Sequence, residues 1–131
     1  YYNAVGPSTT DLPNLAAVRV DAQVNNTWHQ AAPLAGVQAD NWSARWTGEV
    51  EPRFTGRYTF TTESDDGVRL WVNGQLLVDQ WTDHTPTRHG GSLDLVAGQK
   101  YAIRMEYYDR TQSAVARLLW SSPDQPGDRA L

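Results

Sequence analysis

The fold class this sequence predicts is all-β: a single-domain antiparallel sandwich or barrel. Three observations predict it. Short segments that alternate apolar and polar residues recur between clusters of turn residues. No long stretch carries a helical period. Asn73-Gly74 sits between two alternating segments, the strongest short-range signal for a hairpin with a type I′ turn. A chain of 131 residues suits one domain and can bury about two thirds of its unfolded surface.

The elements follow in chain order. In the irregular N-terminal part Leu15–Val24 is a strand candidate, and Thr27–Asn41, with Pro33 and Gly36, reads as loop. Ser43–Val50 reads as a strand. Arg57–Thr62 puts Tyr58 and Phe60 on one face and Thr59 and Thr61 on the other. Val68–Val72 turns Val68, Leu70 and Val72 inward, with Arg69 and Trp71 opposite. Gln75–Asp79 returns from the Asn73-Gly74 turn, and Trp81–His89 follows as a loop. Ser92–Val96 turns through Ala97-Gly98-Gln99 into Lys100–Tyr108, where Tyr101, Ile103, Met105 and Tyr107 share a face. Ala114–Trp120 is the last strand. Residues 1–120 are thus expected to form the domain. Ser121–Leu131, with two Pro and a Gly, reads as a tail or linker to further domains of a parent chain. The first residue is Tyr1 and not Met, which suggests a processed or excised piece.

Composition excludes several classes. Net charge is -4 and the pI is near 5.2, against a nucleic-acid partner held through phosphates. No apolar run approaches the ~20 residues of a membrane-spanning helix, so no membrane insertion is expected. There is no cysteine, hence no disulfide, thiol nucleophile or cysteine zinc site. Six Trp and six Tyr supply core filler first and sugar-stacking surfaces second. Trp46, Trp71 and Trp120 lie in strands and are assigned to the core or a sheet surface; Trp42 is left open.

The stretch richest in chemistry is Ser64-Asp65-Asp66-Gly67, between two strands. Neighbouring strand residues point to opposite faces, so aiming both carboxylates at one point needs unusual backbone, such as a cis peptide. A divalent cation could bridge them, since calcium takes six to eight hard oxygens. The plain alternative is a turn whose Asp side chains accept from backbone N–H groups. His84 and His89, with Asp83, have no third ligand at zinc-like spacing. No Ser/His/Asp elbow, phosphate loop or His-Glu-x-x-His motif is present. Adjacent carboxylates do not give the two facing walls, about 5–9 Å apart, that glycoside hydrolysis needs.

Several stretches, in this order, resemble the protective-antigen domain family, the PA-fourteen module. They are Tyr1-Tyr2-Asn3, Asn41-Trp42-Ser43-Ala44-Arg45-Trp46-Thr47-Gly48, Gly56-Arg57-Tyr58-Thr59-Phe60 and Ser64-Asp65-Asp66-Gly67-Val68-Arg69-Leu70-Trp71-Val72-Asn73-Gly74. Ala97-Gly98-Gln99-Lys100-Tyr101, Tyr107-Tyr108 and Ala116-Arg117-Leu118-Leu119-Trp120 continue the match. The resemblance implies a β-sandwich of that type. In the family's lectin members, two consecutive Asp joined by a cis peptide bind Ca2+. A loop before the last strand adds a side chain and carbonyls, and vicinal sugar hydroxyls chelate the ion.

Carried over, the pair is Asp65 and Asp66 and the second loop is Asp109-Arg110-Thr111-Gln112-Ser113. Asp109 would give the side chain, with Gln112 as substitute, and Thr111 and Ser113 carbonyls. Trp81, Asp83, His84, Arg110 and Gln112 would form the rim that touches sugar. The resemblance thus implies a non-catalytic, calcium-dependent carbohydrate-binding module of a larger secreted glycoside-active enzyme or adhesin. Its partners would be mono- or oligosaccharide and polysaccharide glycans, in a secreted or cell-surface location. A structural spacer or protein-interaction domain without sugar binding is the competing expectation.

Overall fold

The computed structural model describes residues 1–3, 15–29, 31–111, 113–123, 127 and 129–131. They form two facing antiparallel sheets. The strands are β1 (Asn25–His29), β2 (Trp42–Val50), β3 (Gly56–Asp65), β4 (Val68–Val72), β5 (Gln75–Gln80), β6 (Thr87–Leu95), β7 (Tyr101–Asp109), β8 (Ala114–Ser121) and β9 (Arg129–Ala130). One sheet has the order β1-β8-β3-β6, with β9 on β8, and the other β2-β7-β4-β5.

The alternation seen in the sequence sets the inner faces. Tyr58 and Phe60 of β3, Val68, Leu70 and Val72 of β4, and Met105 and Tyr107 of β7 are buried between the sheets. Trp42 joins them with no exposed surface and packs on Tyr1, Trp28 and Tyr107 at ring-centroid distances of 5.7, 5.0 and 5.4 Å. Trp46 and Trp120 pack partly buried against this core. Trp71 lies on the outer face of the β2-β7-β4-β5 sheet, in register with Arg104. Asn73 and Gly74 both have positive φ, 51° and 74°, as a type I′ turn requires.

Four expectations are corrected. Leu15–Val24 is not a strand: among the described residues only Leu15 bridges, to Tyr2, while Val18 and Val20 point to solvent, 82% and 98% exposed. Thr27–Asn41 is not all loop, because Asn25–His29 pairs with β8 and turns Trp28 into the aromatic core. The Trp81–His89 loop ends earlier than expected. Thr87–His89 belongs to β6, where Arg88 lies opposite Glu63 and bonds it at 2.7 Å. The C-terminal segment is no detached tail at its described ends. Ser121 closes β8, Arg129–Ala130 pairs with Leu119 and Trp120, and the Leu131 N–H donates to the Leu118 carbonyl. Partial burial of Leu131 against the core gives the physical reason.

Candidate functional site

Two connections cross between the sheets side by side. Asp66 and Gly67 link β3 to β4, and residues 110–113 link β7 to β8. The Asp66 N–H donates to the Tyr108 carbonyl at 3.1 Å, and the Tyr108 N–H to the Gly67 carbonyl at 3.0 Å. Gly67 leaves room there: a Cβ on it would run into the ring of Tyr108. The peptide between Asp65 and Asp66 is cis.

Asp66 ties three loops together. Its Oδ2 accepts from the Arg110 N–H at 2.9 Å, and its Oδ1 from the His84 N–H at 3.3 Å. The Ser64 hydroxyl donates to its carbonyl at 3.0 Å. Asp65 is half-buried, and the Tyr107 hydroxyl donates to its carbonyl. Desolvation, then its contact with Asp66, pushes the Asp65 carboxyl above the usual range.

Asp109 ends β7 with no exposed surface, and among the described residues neither carboxylate oxygen has a hydrogen-bond partner. Burial first, then the charges of Asp66, Asp40 and Asp65, push its pKa up to about 7, against a smaller lowering effect of the Trp42 indole beside it. A buried carboxylate without donors is costly and calls for a compensating positive charge. Among the described residues no donor is in place on its oxygens, and those on Asp66 are only partly used by backbone N–H groups. The donor set is therefore hard oxygen, the kind calcium takes. Side chains alone do not complete it: among the described residues no group of three His, Asp or Glu forms a metal-binding array. An ion there needs backbone carbonyls or water as well.

The rim is built on the outer side. Asp83 is exposed; its Oδ1 accepts from the Tyr108 hydroxyl at 2.6 Å and from Arg110 Nε at 3.1 Å. The Tyr108 hydroxyl, then Arg110, holds the Asp83 carboxyl below its usual range. Trp81 is half-buried, edge-on to Tyr108 at 4.8 Å, with the Arg69 guanidinium 3.8 Å from its ring centre. His84 reaches this cluster through its backbone; its Nδ1 lies 2.9 Å from the Thr85 carbonyl oxygen, and its ring is 5.6 Å from that of His89. Thr111 is exposed and Ser113 half-buried in the β7–β8 connection. Gln112 lies outside the described residues.

This arrangement, a two-sheet sandwich with a cis Asp pair at a crossover, meets its family in sequence as well. Residues 3–130 match the PA14 domain. The chain belongs to the PA14 domain family. Among PA14 relatives, Anti-sigma-I factor RsgI3 of Acetivibrio thermocellus is 44% identical over 125 residues, 95% of this chain and 19% of that protein. A solved anti-sigma factor domain-containing protein is 42% identical with a TM-score of 0.91, over 98% of this chain and 43% of that one. The chain thus spans less than half the length of these relatives. The Epithelial Adhesin 6 A domain of Candida glabrata, solved in complex with Galb1-3GlcNAc, shares the fold at a TM-score of 0.65 and 19% identity, over 81% of this chain and 61% of that one.

Within the PA14 frame the structure adds residues that sequence reasoning passed over. Trp42 and Asp40 stand beside Asp109 because β2 pairs with β7, Trp42 opposite Asp109. Tyr107 of β7 reaches the Asp65 carbonyl from the facing sheet. A register argument pairing the two aromatic strands, Trp42–Val50 and Tyr101–Asp109, would have found the first two.

Proposed function

We propose that this PA14 domain is a non-catalytic, calcium-dependent glycan-binding module. The observation that carries the reading is the wholly buried Asp109 carboxylate, without a hydrogen-bond donor among the described residues, beside the Asp65–Asp66 pair. Asp65, Asp66 and Asp109 would hold the ion, with carbonyls of the connection at Thr111 and Ser113. When bound, calcium supplies a Lewis-acidic point that two vicinal sugar hydroxyls can chelate. Asp66 keeps the loops bearing His84 and Arg110 in place through its two backbone acceptors. Arg110, oriented by Asp83, presents guanidinium donors to sugar oxygens. Trp81 stiffens the rim by packing on Tyr108 and Arg69.

The fold likeness to an adhesin domain solved with a disaccharide supports glycans as partners. Identity with part of an anti-sigma factor supports a regulatory parent chain, with the sugar site as its input, more than the enzyme or adhesin first expected. A secreted or cell-surface location accords with the reading, because extracellular calcium modules work at about 10⁻⁴–10⁻³ M ion.

One observation favours the competing spacer or protein-interaction reading. Both Asp66 oxygens already accept backbone N–H groups, which is what a purely structural turn would show. A glycan array probed with calcium and with chelator decides between them. The proposal expects sugar signals that chelator removes and that Asp66→Ala lacks. Signals indifferent to both would place sugar recognition elsewhere, and an array blank with calcium present would leave the spacer reading.

A further inference from the structure

A second feature lies on the outer face of the β2-β7-β4-β5 sheet, away from the carboxylates. An open groove of about 490 Å3 is lined there by Thr47, Trp71, Gly74, Ala102 and Arg104 among others. Its volume falls in the range of small-ligand sites. The register builds it: Thr47 of β2, Arg104 of β7 and Trp71 of β4 stand in one row across the sheet. Thr47 and Arg104 are exposed and Trp71 is half-buried. The Arg104 guanidinium lies 4.1 Å from the Trp71 ring centre. Among the described residues the Arg104 side chain forms no ion pair or hydrogen bond.

One buried side chain links the groove's Trp71 to Trp81 of the rim. Arg69 lies between the two indoles, its guanidinium 3.8 Å from the Trp81 ring centre and 5.8 Å from that of Trp71. Trp81 and Trp71 thus both pack on the buried, Glu106-paired Arg69, and Trp71 leads on to the exposed Arg104. An indole face suits the C–H face of a pyranose ring, and a guanidinium without an acid partner suits hydroxyl or carboxylate oxygens of the same ring.

We propose that this groove is a second, calcium-independent glycan subsite. A pyranose ring lies on Trp71, Arg104 donates to its oxygens, and Thr47 offers a further hydroxyl. A chain long enough to reach both places runs over Trp81 towards the carboxylates, so the domain prefers polymeric over monomeric sugar.

Affinity electrophoresis in chelator tests this, through gels containing hydroxyethylcellulose, arabinoxylan or carboxymethylcellulose. The subsite predicts retardation by at least one polymer that Asp66→Ala retains. Trp71→Ala is expected to weaken it about tenfold, and Ala102→Leu, which fills the groove from an exposed position, to do the same with an unchanged thermal melt. Arg104→Ala separates the oxygen sources: loss on carboxymethylcellulose alone marks a carboxylate contact, loss on all retarding polymers a hydroxyl contact. No retardation by any of the three, or retardation that Ala102→Leu leaves intact, overturns the subsite. Failure of the calcium reading is distinct, since it shows as absent calcium binding whatever the gels report.

Discussion

Asp109 concentrates the chemistry of the domain in one side chain. Its carboxylate is held out of water at the end of β7, close to the charges of Asp66 and Asp65, with no donor among the described residues to offset its own. Asp109→Asn should therefore act with opposite signs in two conditions. Without calcium it removes an uncompensated buried charge and should raise the melting temperature by a few degrees, about 1–2 kcal/mol. With calcium it should cost affinity at least tenfold, read by calorimetry. A fall in stability without calcium would mean that the carboxylate is satisfied as it stands. Trp81 makes a complementary case. It packs on Tyr108 and Arg69 from the outer side of the sheet and not between the sheets. Trp81→Ala should leave calcium affinity within about twofold, weaken sugar binding, and cost about 1–2 kcal/mol in a melt, the scale of a desolvated cation–π contact. A loss of about 3 kcal/mol or more would assign it to the core.

At the scale of elements, the site is made by crossovers. Sequence alternation placed the inner faces of β3, β4 and β7 because each reports a local period, and the Asn73-Gly74 turn because its signal is two residues long. The Asp65–Asp66 connection was legible for the same reason: it is short and lies between two strong strands. The edge strand β1 was not, since Asn25–His29 carries no clean alternation and its pairing is set from a distance. Arg117 of β8 donates to the Thr27 hydroxyl at 2.9 Å and to Glu63 of β3 at 2.6 Å. The neighbours of Asp109 escaped because they depend on register, not on spacing along the chain.

Gly67 is the element-scale test. Gly67→Ala would drive a methyl into the Tyr108 ring and should destabilise the domain by about 1–3 kcal/mol, with a matching loss of the Asp83–Tyr108 contact. A melt unchanged from wild type would show that the crossover yields freely. Beneath Trp81, Arg69 and Glu106 are 2% and 1% exposed and 3.1 Å apart, with Arg45 closing on Glu106 at 2.6 Å. Glu106→Gln should cost about 3–5 kcal/mol by urea unfolding, because it strands a buried guanidinium. A cost under 1 kcal/mol would contradict that pairing.

For the whole molecule, the two-sheet sandwich carries two separate groups of polar and aromatic side chains. One end gathers the β3–β4, β5–β6 and β7–β8 connections around three carboxylates. The outer face of β2-β7-β4-β5 carries an aromatic and guanidinium row. Family membership and the all-β sandwich stand on the sequence match and the fold together. The composition of the rim was only partly legible, because it is assembled from loops that only the fold brings together. The central claim is that Asp65, Asp66 and Asp109 hold calcium. Calorimetric titration of calcium into chelator-treated protein, with a thermal melt alongside, tests it most directly. The account predicts one ion per chain and, at calcium 100-fold above Kd, about 2.7 kcal/mol of added stability, a rise of several degrees in Tm. No heat and no shift would contradict it and return the Asp pair to the role of turn residues.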